Sequence, residues 1–223
     1  LSPDGTRLAA RIAVKGEQKL MISNIFDGAA GIRAIALGEN DLNWWRWVND
    51  DWLIAGVGAE VAVQGMPWYL SRVVSVKADG SKINMLAKIA AAQSADDVIW
   101  VARDGTPRIL LAYQSSIYVS EPGFWPQVDE VDITNGRMRR IVAPRTHVMG
   151  WYADAAGTVR MGVGYSDATR TGTLLYRAGP KDSFRIVSRA DRRRDESLVV
   201  PQLFTADPAR AIARDDREGA AAL

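Results

Sequence analysis

The chain has 223 residues, with 28 Lys and Arg against 26 Asp and Glu, one His, no Cys and eight Trp. Its 48% apolar content supplies a core for one large domain or two small ones, and 24% charged residues exclude disorder over most of the length. Without Cys there is no disulfide framework, thiolate nucleophile or Cys-ligated metal, and a single His cannot build a His-rich cluster.

A formal charge of +2 is close to balance and gives no reason to expect a nucleic-acid partner. No apolar run approaches the roughly 20 residues that a membrane span requires. Absence of Cys suits a bacterial periplasm and a bacterial cytoplasm equally, so the compartment stays unknown. The chain opens Leu1-Ser2-Pro3-Asp4-Gly5 without a signal-peptide pattern and closes on Arg217–Leu223. Both ends read as those of a piece of a longer protein.

Taken in chain order, the predicted elements are strands. Over Arg7–Lys15, Leu8, Ala10, Ile12 and Val14 share one face, with Arg7, Arg11 and Lys15 on the other. Arg72–Ala78 and Lys82–Leu86 flank Asp79-Gly80, Val98–Ala102 and Arg108–Tyr113 flank Asp104-Gly105, and Glu130–Thr134 and Met138–Val142 flank Asn135-Gly136. Such pairs mark tight hairpins, because the turn needs φ > 0, which Gly, Asn and Asp tolerate. Val159, Met161, Val163 and Tyr165 alternate over Thr158–Tyr165. Ile89–Ala95 is the one helix-like stretch, too short to count as an element. The fold class expected is all-β.

The turns repeat. One series runs Asp4-Gly5, Asn49-Asp50, Asp104-Gly105, Asp154 to Gly157 and Asp207-Pro208, and a second runs Asp27-Gly28, Asp79-Gly80, Asn135-Gly136 and Gly179-Pro180. Each series renews about every 50 residues, within the range of propeller blades, and a four-stranded blade needs two hairpins. The chain therefore parses as an incomplete β-propeller of about four blades. Strands two to four of one blade lie at 7–37, whole blades at about 42–90, 98–143 and 147–189, and the start of another at 198–214. Trp44, Trp45, Trp47, Trp52, Trp100 and Trp151 fall in or beside the first hairpin of a blade, where large rings fill the wedge between sheets. A small closed four-bladed ring, with 198–205 completing the first blade, is the competing parse.

Ser2-Pro3-Asp4-Gly5-Thr6-Arg7-Leu8-Ala9 resembles the first-hairpin signature of propellers in the prolyl oligopeptidase family and in TolB-like proteins. The segments 47–54, 73–80, 131–137 and 151–160 continue the pattern, so the resemblance covers nearly the whole chain. It is to the N-terminal propeller of a bacterial serine peptidase of the acylaminoacyl and dipeptidyl peptidase branch. The resemblance implies a non-catalytic segment that gates small-peptide access to a C-terminal α/β-hydrolase domain and docks on it, with peptide as substrate. The Ser-Asp-His triad would lie in that hydrolase domain, outside this chain. No two consecutive Glu residues occur, so the pair with which dipeptidyl peptidases grip a free amino terminus has no match. The alternative implied is a TolB-like periplasmic propeller that serves as a protein-binding module.

Few residues are candidates for chemistry. Gly164-Tyr165-Ser166-Asp167-Ala168 lacks the second Gly of a nucleophile elbow and reads as a hairpin loop. His147 has no paired Ser or carboxylate motif beside it and reads as structural. Asp132-Ile133-Thr134-Asn135-Gly136 lacks the spacing and closing Glu of a calcium loop, and no other motif calls for a metal or cofactor. Arg189, Arg192, Arg193 and Arg194 read as a solvated loop closed by Asp195-Glu196. Gly56–Trp68 and Ser120–Pro126 read as long or aromatic loops, a class enriched in function, which makes Trp68, Tyr69, Phe124 and Trp125 candidates for substrate or interdomain contact. Open blade faces at either end of an incomplete ring are expected to favour self-association.

Overall fold

The computed structural model describes residues 1–88, 90–205, 207 and 210–213. Among the described residues eighteen strands follow one another, and three short 3-10 turns are the only helical elements. The first sheet holds β1 (Arg7–Val14), β2 (Glu17–Asn24) and β3 (Ile32–Ala36). The second holds β4 (Asp41–Trp47), β5 (Trp52–Val63), β6 (Met66–Lys77) and β7 (Ile83–Met85), with the short β8 (Ser94–Ala95) parallel to β6. The third holds β9 (Asp97–Val101), β10 (Arg108–Tyr113), β11 (Gln127–Asp132) and β12 (Arg137–Val142). The fourth holds β13 (Val148–Ala153), β14 (Val159–Ser166), β15 (Thr171–Tyr176) and β16 (Arg185–Asp191), and β17 (Pro201–Phe204) pairs with β18 (Ala211–Ala213). Neighbours along each sheet are antiparallel and consecutive in sequence.

The sheets stack face to face, and each interface has its own core. Leu20, Ile22 and Ile35 meet Leu53, Ala55 and Val74 between the first and second sheets. Ile54 and Val73 meet Ile109, Leu111 and Val131 between the second and third. Leu110, Ala112 and Val128 meet Trp151, Val159 and Leu175 between the third and fourth, and Phe204 closes on Met161 and Leu174 of the fourth. Strands such as β5 and β10 are therefore buried on both faces, which is why they read as unbroken apolar runs rather than alternating ones. This succession of up-and-down antiparallel sheets is a β-propeller with an open ring. All six inner-hairpin Trp residues take part in these cores.

The repeated Asp and Asn residues build the inner turns alike. The Asp4, Asn49, Asp104 and Asp154 side chains each accept, at 3.0 Å, the backbone N–H two residues on. Gly5, Gly105 and Gly157 supply φ near 73°, 80° and 79°. Neighbouring turns are then latched together. Asp4 N–H donates to Asp50 Oδ1 (2.8 Å), Asn49 Nδ2 to the Gly105 carbonyl (2.9 Å) and Trp100 Nε1 to the Ala155 carbonyl (3.0 Å).

Three expectations change. Gly56–Trp68 is not a loop: β5 and β6 run on as a long hairpin turned by Gln64-Gly65, both at positive φ. The helix-like stretch Ile89–Ala95 forms no helix over its described residues, 90–95. Arg72 donates its guanidinium N–H groups to the carbonyls of Ala91, Ala92 and Gln93, and Ser94 and Ala95 form β8; Ile89 itself lies outside the described residues. The closed four-bladed alternative fails because β17 pairs with β18 and not with β1. Pro208 and Arg214, in the segment read as a further blade, lie outside the described residues.

Candidate functional site

The first strand of each of the last four sheets, β4, β9, β13 and β17, is an edge strand, and together these strands bound one cavity of about 1230 Å³. In a radial stack of sheets the strands nearest the common axis line the central channel, and Pro3 of the first inner turn lines it too. Among the described residues its wall holds no Ser, Cys or His. It carries Arg46, Arg103, Asp50, Asp97 and Asp154 with the rings of Trp47, Trp100 and Tyr152.

Two acidic neighbours differ in environment. Asp96 accepts from Ser71 Oγ (2.6 Å) and Trp44 Nε1 (3.3 Å), so its charge is hydrogen-bonded. Asp97 begins β9 beside it without such donors. Desolvation by nearby protein atoms, then the Asp96 carboxylate, push its pKa up to about 6, although the residue as a whole is exposed. Trp47 Nε1 is buried and has no hydrogen-bond partner, the one such side-chain atom among the described residues. This wall can hold and orient a polar ligand, and among the described residues it pairs no nucleophile with a base.

The sequence candidates lie elsewhere, at the opposite rim from the latched turns. β5, β10 and β14 all run away from those turns, so the Gln64-Gly65 hairpin tip, the 114–126 loop and the turn after Ser166 share the far rim. Trp68 pairs with Val61 and Tyr69 with Glu60 on the hairpin. The Tyr69 hydroxyl donates to Asn43 Oδ1 (2.9 Å). Phe124 and Trp125 stack edge to face at 5.2 Å, and Trp125 stacks likewise on His147 at 5.2 Å. None of the four lines the axial channel.

The hairpin and the loop touch through Gln64 and Tyr118, and both expose apolar side chains. Met66 is 63% exposed, Val119 66% and Tyr118 50%. Tyr118 and Val119 fall just outside the segment that sequence reasoning picked out, and a Tyr-Val pair ahead of Ser120 carries no signal of its own. Ser166 ends β14 and is followed by the turn to β15 rather than by a helix, so it is no nucleophile elbow.

No protein-family model matches the chain, and no curated protein matches it. Among solved structures the chain is similar to TolB from Acinetobacter baumannii, at 10% identity and TM-score 0.42, over 85% of this chain and 42% of that one. It is also similar to a luciferin-regenerating enzyme, at 18% identity and TM-score 0.43, over 86% of this chain and 60% of that one. A third is the AtxE2 isopeptidase, at 11% identity and TM-score 0.30, over 85% of this chain and 33% of that one. The chain thus spans less than two thirds of each of these structures.

Proposed function

We propose that the chain is the non-catalytic propeller part of a bacterial serine peptidase, gating small peptides and docking on a C-terminal α/β-hydrolase domain. The observation that carries the reading is the difference between the two rims. One rim is closed by tight, mutually hydrogen-bonded turns. The other projects the β5–β6 hairpin and the 114–126 loop, joined to each other and exposing Met66, Tyr69, Tyr118 and Val119. An apolar rim of this kind is the surface on which a second domain would sit. In this reading Trp68, Tyr69, Phe124 and Trp125 belong to the interdomain side, and the axial channel is the route for substrate.

The test is to read the coding sequence downstream. A G-x-S-x-G motif followed by Asp and then His within about one domain length, roughly 250 residues, is expected. The 223-residue chain alone should neither cleave chromogenic peptides nor react with a serine-directed phosphonate. A protein that ends soon after the last blade and retains a stable partner in pull-downs would favour the TolB-like binding module, which the same apolar rim would also serve.

A further inference from the structure

A second cleft, of about 640 Å³, opens on the fourth sheet, between the 144–147 segment that leads into β13 and residues of β14, β15 and β16. Val148, Leu175, Ile186 and the ring of Phe184 give it an apolar lining, beside Ser166 and four Thr. Its charged lining is one-sided: Arg145 and Arg189 enter it and no Asp or Glu does. Neither guanidinium forms an ion pair among the described residues. The carboxylates nearest in sequence lie outside the lining, and Asp191 is already paired with Arg193 at 2.9 Å. Hydroxyls of Ser166 and Thr173 add further donors to the wall.

The wall is also fixed in place. His147 adopts φ 68°, a left-handed conformation that costs a non-glycine residue energy unless its surroundings hold it. Three contacts hold it here. Tyr165 N–H donates to the His147 carbonyl at 2.8 Å, Trp125 stacks on the imidazole, and Gly164 leaves room for that carbonyl, which a Cβ would approach to 2.4 Å. Two residues earlier, the Arg145 guanidinium carbon stands 5.6 Å from the Phe184 ring centroid, a cation–π contact that keeps the charge over that ring.

Two unpaired guanidiniums beside an apolar lining suit a ligand with a hydrophobic body and an anionic head. Guanidinium recognises carboxylate and phosphate alike, through paired N–H donors, and with no competing carboxylate in the wall the cleft focuses positive potential. We propose that this cleft is a binding site for an amphipathic anion, an aromatic or aliphatic group bearing a carboxylate or a phosphate. It is separate from the axial channel and does not depend on the peptidase reading.

Naphthyl phosphate, naphthoate and neutral naphthol, titrated against the 223-residue chain by calorimetry, test it, with quenching of tryptophan fluorescence as a second readout. At least one anion should bind roughly tenfold or more tighter than naphthol, and the advantage should shrink as salt rises. The stronger of the two anions assigns the head group as phosphate or carboxylate. Arg145→Gln and Arg189→Gln, both at exposed positions and checked for unchanged circular dichroism, should weaken anion binding with naphthol unaffected; a loss in either supports the site. Absence of anion binding, equal affinity for naphthol, or undiminished binding in both variants overturns it.

Discussion

The side-chain amide of Gln64 donates a 2.9 Å hydrogen bond to the hydroxyl of Tyr118, joining segments 54 residues apart in sequence at the projecting rim. Both partners are exposed, so the bond adds little to global stability, within about 1 kcal/mol. Its work is local ordering of the hairpin tip. Tyr118→Phe is expected to leave the melting temperature nearly unchanged and to accelerate amide exchange at Gly65 and Met66. Unchanged exchange there would mean that the turn orders itself.

The indoles of Trp47 and Trp151 give opposite expectations. Trp151 is 2% exposed and its Nε1 donates to the Pro126 carbonyl at 2.8 Å. Trp151→Phe leaves that acceptor unpaired and opens a cavity, and should cost about 2–4 kcal/mol in denaturant unfolding. Trp47 Nε1 has no partner, so Trp47→Phe removes an uncompensated donor together with some buried area. Its net cost should fall below about 1.5 kcal/mol.

Asp97 has a native pKa raised to about 6, above the ordinary carboxylate value. The native state therefore holds its proton more tightly than the unfolded chain, and stability is lost as pH rises from about 4 through 6. Asp97→Asn should melt higher than the parent at pH 7 and lose that advantage near pH 4. The flanking Asp96 and the channel groups Arg46 and Arg103 remain in place in both proteins, which isolates the effect. An equal difference at both pH values would sink the assignment.

The ends of the stack present apolar faces. On the first sheet Leu8, Val14 and Ile32 are 39%, 37% and 45% exposed, while Ala9 and Leu20 on the other face are buried against the second sheet. At the far end Leu203 and Ile212 stand opposite one another, 61% and 42% exposed. The 223-residue chain should self-associate at micromolar concentration in sedimentation velocity. Leu8→Glu combined with Leu203→Glu should return it to monomer, and a parent that is monomeric throughout would remove the basis for this expectation.

Much of the architecture was legible because the same device recurs. The Asp-Gly and Asn-Asp turns mark the inner hairpins, since their side chains bond to the turn backbone within two residues, which is information carried wholly in local sequence. The β5–β6 hairpin was hidden because its glycines serve distant rings. A Cβ on Gly56 would lie 2.2 Å from Trp44 Nε1, and one on Gly58 would lie 2.4 Å from the Tyr69 ring. Those vacancies are made by partners from β4 and β6, and in the sequence they resemble loop glycines. The Ala-rich segment before β8 misled for the complementary reason: its carbonyls are taken by Arg72, from a strand about 20 residues earlier.

The candidate residues divide along the same line. Phe124 and Trp125 stand out as aromatics in a Pro-flanked loop, and Phe124 stacks on Trp125, which stacks on His147. The charge asymmetry of the second cleft was invisible, because Arg145 and Arg189 are brought together by the folding of β13 to β16 and not by proximity in sequence.

The separate cores between successive sheets have a thermodynamic consequence. Each sheet is buried only against the one before and the one after, as the units of a linear repeat array are. Its free energy is then a chain of local couplings, strongest where a sheet has two neighbours and weakest at β1–β3 and β17–β18. Such a molecule melts inward from its ends, and a single unfolding free energy describes its middle better than its whole.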